Sequence, residues 1–187
     1  ETEGLIARVY SELGTETNVR FSLGVPSPEM LPVAKLNKVM LQAMRSLPAG
    51  GTSYEQIQGN RKLRNQIARW SYTWEGHLDE SDIVTTEGCM GALSYSMMAL
   101  TERGDTMVVE SPGYFGVLQL ARSLGLRVIE LPTNAVTGIE IEALKKTLER
   151  QTIKLCLLVT NFSNPLGSCM PDEHKREVVK LLEKYHV

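Results

Sequence analysis

The chain has 187 residues, of which 42% are hydrophobic and 22% charged, with a formal net charge of −2. This balance is typical of a globular protein with a buried core, and it offers no basic surface for nucleic acid or an anionic membrane. Three widely spaced cysteines without a C-x-x-C pair argue against a disulfide framework and a zinc site, and no apolar run is long enough to predict a membrane span.

The first third of the sequence predicts helices and an extended arm. Apolar residues at helical spacing predict helices over about residues 5–13, 32–47 and 60–74. Alternating apolar residues over 19–23 predict an extended segment between the first two helices. The chain begins with Glu1 rather than methionine, so we expect it to start inside a longer protein.

From Asp82 onward, the pattern changes to alternating strands and helices. Short apolar or β-branched runs predict strands over 83–86, 107–110, 128–131 and 155–160. Such alternation predicts an α/β fold with a largely parallel sheet and helices on both faces, preceded by the helical and extended arm. Ligands in such sheets bind at the carboxyl ends of the strands. Helical patterns follow the predicted strands and begin near Gly88, Phe115, Glu140 and Pro171.

A glycine turn follows the first predicted strand. A helix that begins at Gly88 to Gly91 leaves its first N–H groups unpaired at the positive end of the helix dipole. A phosphate could therefore bind there without a lysine or arginine. Glycines also serve tight packing at such turns, so the turn alone leaves both interpretations open.

Two aromatic residues and one amide occupy other loops. Tyr114, in a rigid proline turn, is suited either to stacking on a flat heteroaromatic ring or to covering the end of the sheet. Asn164, before Pro165, offers an amide donor for a phenolate oxygen or forms an ordinary turn. Tyr54 lies in a glycine-rich loop, where it would reach a phosphate or simply be exposed.

Taken in order, these residues resemble the motifs of fold-type I pyridoxal-phosphate enzymes, the aspartate aminotransferase superfamily. The resemblance is closest to the aminotransferase-like domain of MocR-type transcriptional regulators of the GntR family, and it spans nearly the whole chain. The tyrosine and Gly-x-x-x-Leu-Arg-x-x-Ile-Ala pattern of that family is matched by Tyr54 and residues 59–68. Its phosphate turn, ring-stacking loop and cofactor-oxygen loop are matched by residues 86–93, 110–116 and 160–167.

The resemblance implies a domain organisation and a set of binding roles. Residues 1–47 would be N-terminal helices and arm, and residues 48–187 the first part of the pyridoxal-phosphate-binding large domain. In a homodimer, the turn at Gly88 would hold the cofactor phosphate, and the substrate or effector would be an amino acid or amine. The implied contacts are the N–H groups of Cys89 and Met90 with the phosphate, Tyr54 with the phosphate of the partner subunit, Tyr114 with the pyridine ring, Asn164 with the 3′ oxygen, and Gly24 with the substrate carboxylate.

The family's catalytic groups have no counterpart in this sequence. The Schiff-base lysine follows the cofactor-oxygen loop in a Ser-x-x-Lys context, and an aspartate pairs with the pyridinium nitrogen. Lys175, Lys180 and Lys184 instead lie on the final predicted helix, in a setting typical of a solvated face. The large domain is therefore expected to be truncated before the lysine, and this chain alone not to be a complete transaminase.

The other polar residues suggest ordinary structural roles. The three histidines share no ligand spacing, so we expect surface positions and no metal site. Glu87 is expected to cap a helix end. Arg61, Lys62 and Arg64 are expected on an outer helix face, and Met97 and Met98 in the core.

Two functions remain open at this point. The chain is part of an aminotransferase, or it is a sensory, non-catalytic module for ligand binding and dimerisation in a DNA-binding regulator. Only the second requires a DNA-binding domain, which would precede Glu1; this segment itself is expected to contact neither DNA nor membrane. A cytoplasmic location fits the cysteine pattern. A dinucleotide-binding domain is disfavoured because Gly88 and Gly91 do not form Gly-x-Gly-x-x-Gly.

Overall fold

The computed structural model describes Gly4, Ala7, Arg8, Ser11 and residues 26–187. These residues belong to two compact units, divided after Val84. The helix predicted over 5–13 lies largely outside the described residues, and the extended segment and Gly24 lie wholly outside them. In the described ranges, no helix is both long and apolar enough to cross a membrane.

Between residues 26 and 84, the first unit contains the α-helices α1 (Val33–Ser46) and α2 (Arg61–Ser71). Both were predicted, and short 3-10 turns flank them at Pro28–Met30, Pro48–Gly51, Tyr72–Trp74 and Glu80–Asp82. Helix α2 begins after Asn60, whose side-chain oxygen accepts hydrogen bonds from the N–H groups of Lys62 and Leu63. This N-cap satisfies two donors that a helix start otherwise leaves unpaired.

Arg64 corrects one prediction for the first unit. Its side chain is buried rather than on an outer helix face. The guanidinium donates to Gly59 O at 3.1 Å, Glu80 O at 2.7 Å and Gln56 Oε1 at 2.8 Å. Arginine can bridge several acceptors at once because its donors lie in a rigid planar fork. Arg64 therefore joins the loop before α2 to the segment after it.

The second unit alternates helices and strands, as predicted. Strand β1 (Thr106–Ser111) pairs in parallel with β2 (Arg127–Asn134) on one side and with β4 (Leu155–Leu157) on the other. Strand β3 (Gly138–Ile139) adds antiparallel to β2, so the order is β3-β2-β1-β4. The helices of this unit are α3 (Cys89–Leu100), α4 (Phe115–Ser123), α5 (Ile141–Arg150) and α6 (Asp172–Tyr185).

Alternate side chains of β1 enter two separate cores. Val108 packs with Leu144 of α5 and Val178 of α6. Met107 and Val109 pack on the other face, against α3 and α4. The alternation follows from the pleat of the strand, which sends successive side chains to opposite faces. The largely parallel sheet with helices on both faces is thereby confirmed.

Several element predictions were wrong in detail. Residues 83–86 form no strand, although Ile83 is extended, because no described strand pairs with them. Strand β4 ends at Leu157 rather than Thr160. The two-residue strand β3 was not predicted. Met97 is buried as expected, but Met98 is half exposed.

Candidate ligand-binding site

A shallow pocket lies where β1 and β4 end and α4 begins. It brings together Tyr114 and Asn164, two of the residues singled out from the sequence. Its volume is about 50 Å³, whereas complete pockets for small ligands occupy about 300–1,000 Å³. The cavity is therefore too small to enclose such a ligand, and all of its lining residues belong to the second unit. Its other lining residues are Val109, Glu110, Gly113, Val117, Leu118, Leu157 and Val159.

Tyr114 is held by the two glycines that flank it. The ring lies over Gly116, where an added Cβ would come within 2.4 Å of Tyr114 Cε1. An added Cβ on Gly113 would come within 2.6 Å of Glu110 O. A substitution at Gly113 would force the loop backbone to move, whereas a substitution at Gly116 would displace the Tyr114 ring. Tyr114 is 38% exposed, so part of the ring remains available to a ligand. The role of Gly116 was missed, although its spacing from Tyr114 was visible in the sequence.

Asn164 lies at the exposed tip of a loop that is closed by its own hydrogen bonds. Asn161 and Cys169 form an isolated antiparallel bridge at the base. The buried hydroxyls of Ser163 and Ser168 are 2.7 Å apart, and Ser163 N–H donates to Ser168 O at 3.1 Å. These contacts fix the shape of the loop that presents Asn164. Sequence analysis missed both serines, because only their separation of five residues hinted at a pair.

The glycine turn begins α3 as predicted. Gly88 has φ 95° and ψ 174°, a conformation that side chains rarely adopt, and open space surrounds the position of its missing Cβ. The Ala92 N–H donates to Gly88 O, which leaves the N–H groups of Cys89 and Met90 outside the helical ladder. Both side chains are exposed.

The core contact of α3 with the sheet lies near the end of the helix. Met97, near the end of α3, shares a core with Met107, near the start of β1. The end of α3 is therefore near the start of β1, whereas Tyr114 and Asn164 lie at the carboxyl ends of the strands. Gly88 is not among the residues that line the Tyr114 pocket itself.

Glu87 does not cap the helix that it precedes. Its Oε1 accepts a hydrogen bond from Tyr95 Oη at 2.6 Å, and no side chain caps α3. The bond from Tyr95 lowers the pKa of the Glu87 carboxyl, and the same bond raises the pKa of the Tyr95 phenol. Glu87 is thus a fixed negative charge beside the glycine turn.

Glu110 is a buried carboxyl at the floor of the site. Its Oε2 accepts from Val159 N–H at 2.6 Å, while its Oε1 has no hydrogen-bond partner within the described part of the chain. Burial raises the pKa of this carboxyl, and the Val159 bond offsets part of the effect. Burial, with a smaller contribution from Glu110, raises the pKa of the Cys156 thiol to about 12.

The remaining candidates do not line this pocket or lie outside the described residues. Tyr54 belongs to the first unit and is fully exposed. Lys175 pairs with Asp172 at 3.1 Å, and Lys184 Nζ lies 5.0 Å from the centroid of the Tyr185 ring, so neither lines the pocket. Among the described residues, no cluster of histidine, cysteine, aspartate or glutamate could hold a metal ion.

Comparison with solved structures identifies the same fold in aminotransferases. The kynurenine aminotransferase of Pyrococcus horikoshii, solved in complex with PMP, has a TM-score of 0.86 at 22% identity, over 97% of this chain and 46% of that one. The α-aminoadipate aminotransferase LysN of Thermus thermophilus has a TM-score of 0.79 at 23% identity, over 88% of this chain and 41% of that one.

Sequence comparison finds both regulators and enzymes. The HTH-type transcriptional regulator YjiR of Escherichia coli is 38% identical over 87% of this chain and 34% of its own length. Aromatic-amino-acid aminotransferase 1 of Thermococcus litoralis is 25% identical over 87% of this chain and 40% of its own length. The chain thus spans little more than a third of the curated relatives it matches.

The family model for aminotransferase class I and II matches residues 16–187. This range includes the glycine turn, the Tyr114 loop, the Asn164 loop and every strand of the described sheet. The chain is therefore an aminotransferase-like domain and belongs to the aminotransferase class I and II family.

Proposed function

We propose that this chain forms part of a pyridoxal-phosphate-binding site in a MocR-type transcriptional regulator. The observation that carries the proposal is the meeting of Tyr114 and Asn164 around one pocket at the carboxyl edge of a parallel sheet. An aromatic face and an amide donor at that place match the two needs of a flat ring with a polar oxygen.

The residues present fit this cofactor. The floor of the pocket is apolar where a ring would lie, because Val109, Val117 and Leu157 contribute to it. The turn at Gly88 is open to an approaching phosphate, and α3 has twelve residues, enough for a helix dipole. When bound, pyridoxal phosphate supplies an electron sink for the chemistry of amino groups.

The described residues would bind and orient the ligand. The N–H groups of Cys89 and Met90 would donate to the phosphate, and Tyr114 would hold the ring by stacking. Asn164 would donate from its amide to the 3′ oxygen and so set the rotation of the ring. Tyr54 of one subunit would reach the phosphate of the other in a homodimer, and Gly24 would face the substrate carboxylate. These contacts position a ligand, whereas proton transfer would need a lysine that the described site does not include.

The choice of a regulator as the parent protein follows the order of similarity. YjiR and YdcR, both named as HTH-type transcriptional regulators, are 38% and 35% identical to the chain, whereas the named aminotransferases are 25–26% identical. In this proposal, binding of an amino acid or amine to the site biases the dimer of a cytoplasmic DNA-binding protein. A catalytic aminotransferase that acts on amino acids is the second candidate, supported by the solved structures of the same fold.

Protection of a cysteine provides a direct test. Cys89 is exposed and lies at the first turn of α3, so bound pyridoxal phosphate should slow its alkylation by iodoacetamide severalfold. The measurement is peptide mass spectrometry of the intact protein during a cofactor titration. Tyr114→Ala should weaken protection by roughly two- to tenfold, because stacking contributes about 0.5–1.5 kcal/mol. Alkylation of Cys89 at the same rate at every cofactor concentration would contradict the proposal.

Borohydride reduction of the loaded protein separates the two candidate functions. A catalytic protein should trap the cofactor on a lysine and also convert it to the amine form when an amino acid is added. A sensor should bind the amino acid without net conversion. Trapping on Lys175, Lys180 or Lys184 would show that these lysines had been assigned wrongly to a solvated face.

A further inference from the structure

Glu110 stands where the pairing between β1 and β4 stops. The ladder pairs Val109 with Leu157 and goes no further. Two residues later, Val159 N–H donates to Glu110 Oε2 at 2.6 Å. A side-chain acceptor thus takes over from the main-chain acceptors of the ladder, and the chain stays attached to β1 while it leaves the sheet.

The segment that Glu110 holds leads directly into the Asn164 loop. Thr160, the residue after Val159, accepts a hydrogen bond from Met170 N–H at 2.8 Å, which closes the loop at its base. The bonds inside the loop fix its shape, but they do not fix its distance from β1. The hydrogen bond between Glu110 and Val159 fixes this distance.

The cost of burying Glu110 argues for a positional role. Only 7% of the residue is exposed, and Oε1 has no partner among the described residues. A buried carboxyl with one unpaired oxygen is costly, and apolar side chains of similar size often replace such groups without loss of stability. An apolar side chain, however, could not accept the hydrogen bond from Val159 N–H.

We propose that Glu110 is a positioning residue that holds the Asn164 loop at the distance from Tyr114 that ligand binding requires. The attachment itself stands on the geometry of the second unit. Its consequence for ligand binding rests on the proposed function.

The test compares three substitutions in the intact protein. Glu110→Met keeps the size of the side chain and removes the acceptor, whereas Glu110→Gln keeps an acceptor. Glu130→Met is the matched control, because Glu130 is an exposed carboxylate on the neighbouring strand that accepts from Ser111 Oγ at 3.1 Å.

Hydrogen–deuterium exchange of the peptide that covers residues 158–164 is measured first. We expect exchange to rise roughly tenfold or more in Glu110→Met and to stay within about threefold in Glu110→Gln. Glu130→Met should leave it unchanged.

Binding of pyridoxal phosphate, followed by its visible absorbance, is the second readout. Glu110→Met should weaken cofactor binding roughly tenfold, whereas Glu110→Gln should keep nearly the wild-type affinity. If Glu110→Met does not fold, Glu110→Asp takes its place in the test. The aspartate carboxylate is one methylene too short to reach Val159 N–H, so this variant should also show faster exchange and weaker cofactor binding. The proposal would be overturned if Glu110→Met and Glu110→Asp both left the exchange unchanged. It would also be overturned if exchange became faster while the affinity for pyridoxal phosphate stayed the same. If the wild-type protein binds no cofactor, the proposed function fails, and the exchange comparison still decides whether Glu110 holds the segment.

Discussion

Gly88 is the residue at which a requirement of the backbone and the proposed phosphate contact coincide. Its φ of 95° is open to glycine and costly for other residues, and its Cβ position is empty. Gly104 has φ 93° and is equally open, but it lies between α3 and β1, away from the pocket. Substitutions at the two glycines can therefore distinguish the effect of backbone strain on stability from an effect on ligand binding.

We predict that Gly88→Ala and Gly104→Ala each lower the free energy of unfolding by about 1–3 kcal/mol. Only Gly88→Ala should also remove binding of pyridoxal phosphate, because its methyl group would occupy the approach to the first turn of α3. Urea denaturation and a spectroscopic cofactor titration measure the two effects. Equal loss of binding in both variants would mean that the glycine turn is merely structural.

Glu110 predicts a dependence of stability on pH. Burial raises the pKa of this carboxyl in the folded chain above its ordinary value, so the folded state holds the proton more tightly than the unfolded state. The free energy of unfolding should therefore fall as the pH rises from near 4.5 through the folded pKa. Glu110→Gln removes this dependence, so its melting temperature should exceed that of the wild type by more at pH 8 than at pH 5.

The control for this measurement is Glu130→Gln, which changes an exposed carboxyl on the adjacent strand. It should shift the melting temperature similarly at both pH values. A constant difference between Glu110→Gln and the wild type across the same range would contradict the effect of burial on Glu110.

At the scale of elements, the Asn164 loop depends on two serines that act as a pair. Their hydroxyls are 2.7 Å apart and buried, so removing one leaves the other without its partner. We predict that Ser163→Ala and Ser168→Ala each lower the free energy of unfolding by about 1–3 kcal/mol. The double variant should lose less than the sum of the two, because the second substitution removes an already unpaired group.

A double-mutant cycle in chemical denaturation measures this coupling. Thr147→Ala is a suitable comparison, since the Thr147 hydroxyl donates to the Ala143 carbonyl within α5 and has no link to the loop. Combined with Ser163→Ala, it should give an additive result. Strict additivity between the two serine substitutions would show that their hydroxyls do not stabilise each other.

Helices were predicted well because their signal is local. The apolar spacing of α1, α2 and α6 and the turn before α3 are readable from neighbouring residues, and the structure places each helix within a few residues of its predicted limits. Strands 107–110 and 128–131 were also correct, because both segments are rich in apolar or β-branched residues. Of the two, only β1 is buried on both faces.

The errors concern features that depend on distant partners. Residues 83–86 have the composition of a strand but no neighbour to pair with in the described sheet. Arg64 has the sequence context of an exposed helix residue, yet its acceptors come from residues 56, 59 and 80. The local pattern cannot reveal that Glu110 meets Val159, because 49 residues separate them in the sequence. The sequence therefore singled out Tyr114 and Asn164, which line one pocket, but not the residues that hold them.

Helix α1 exposes an extended apolar surface. Within the described residues of this helix, Leu36, Val39, Met40, Leu41 and Met44 are each about half exposed. Extended apolar patches of this kind mark surfaces that another protein surface covers. This surface and the unpaired edges of the described sheet both favour self-association.

We predict that the chain associates in a concentration-dependent manner and that Leu36→Glu with Met40→Glu reduces this association. Sedimentation velocity over a range of concentrations measures it. Lys38→Glu provides the control, because residue 38 lies on the opposite side of the helix from residue 36. A wild-type chain that sediments as a monomer at every concentration would contradict the prediction.

The central place of β1 has a consequence for biosynthesis. Strand β1 is the first strand of the described sheet to be translated, and both of its partners come later in the sequence. Strand β1 begins at Thr106 and β2 ends at Asn134, so the first parallel pair and its connecting helix are complete within 29 residues of nascent chain. An inner strand of the described sheet is thus synthesised first, and each later strand adds to a free edge without displacing a strand that is already paired.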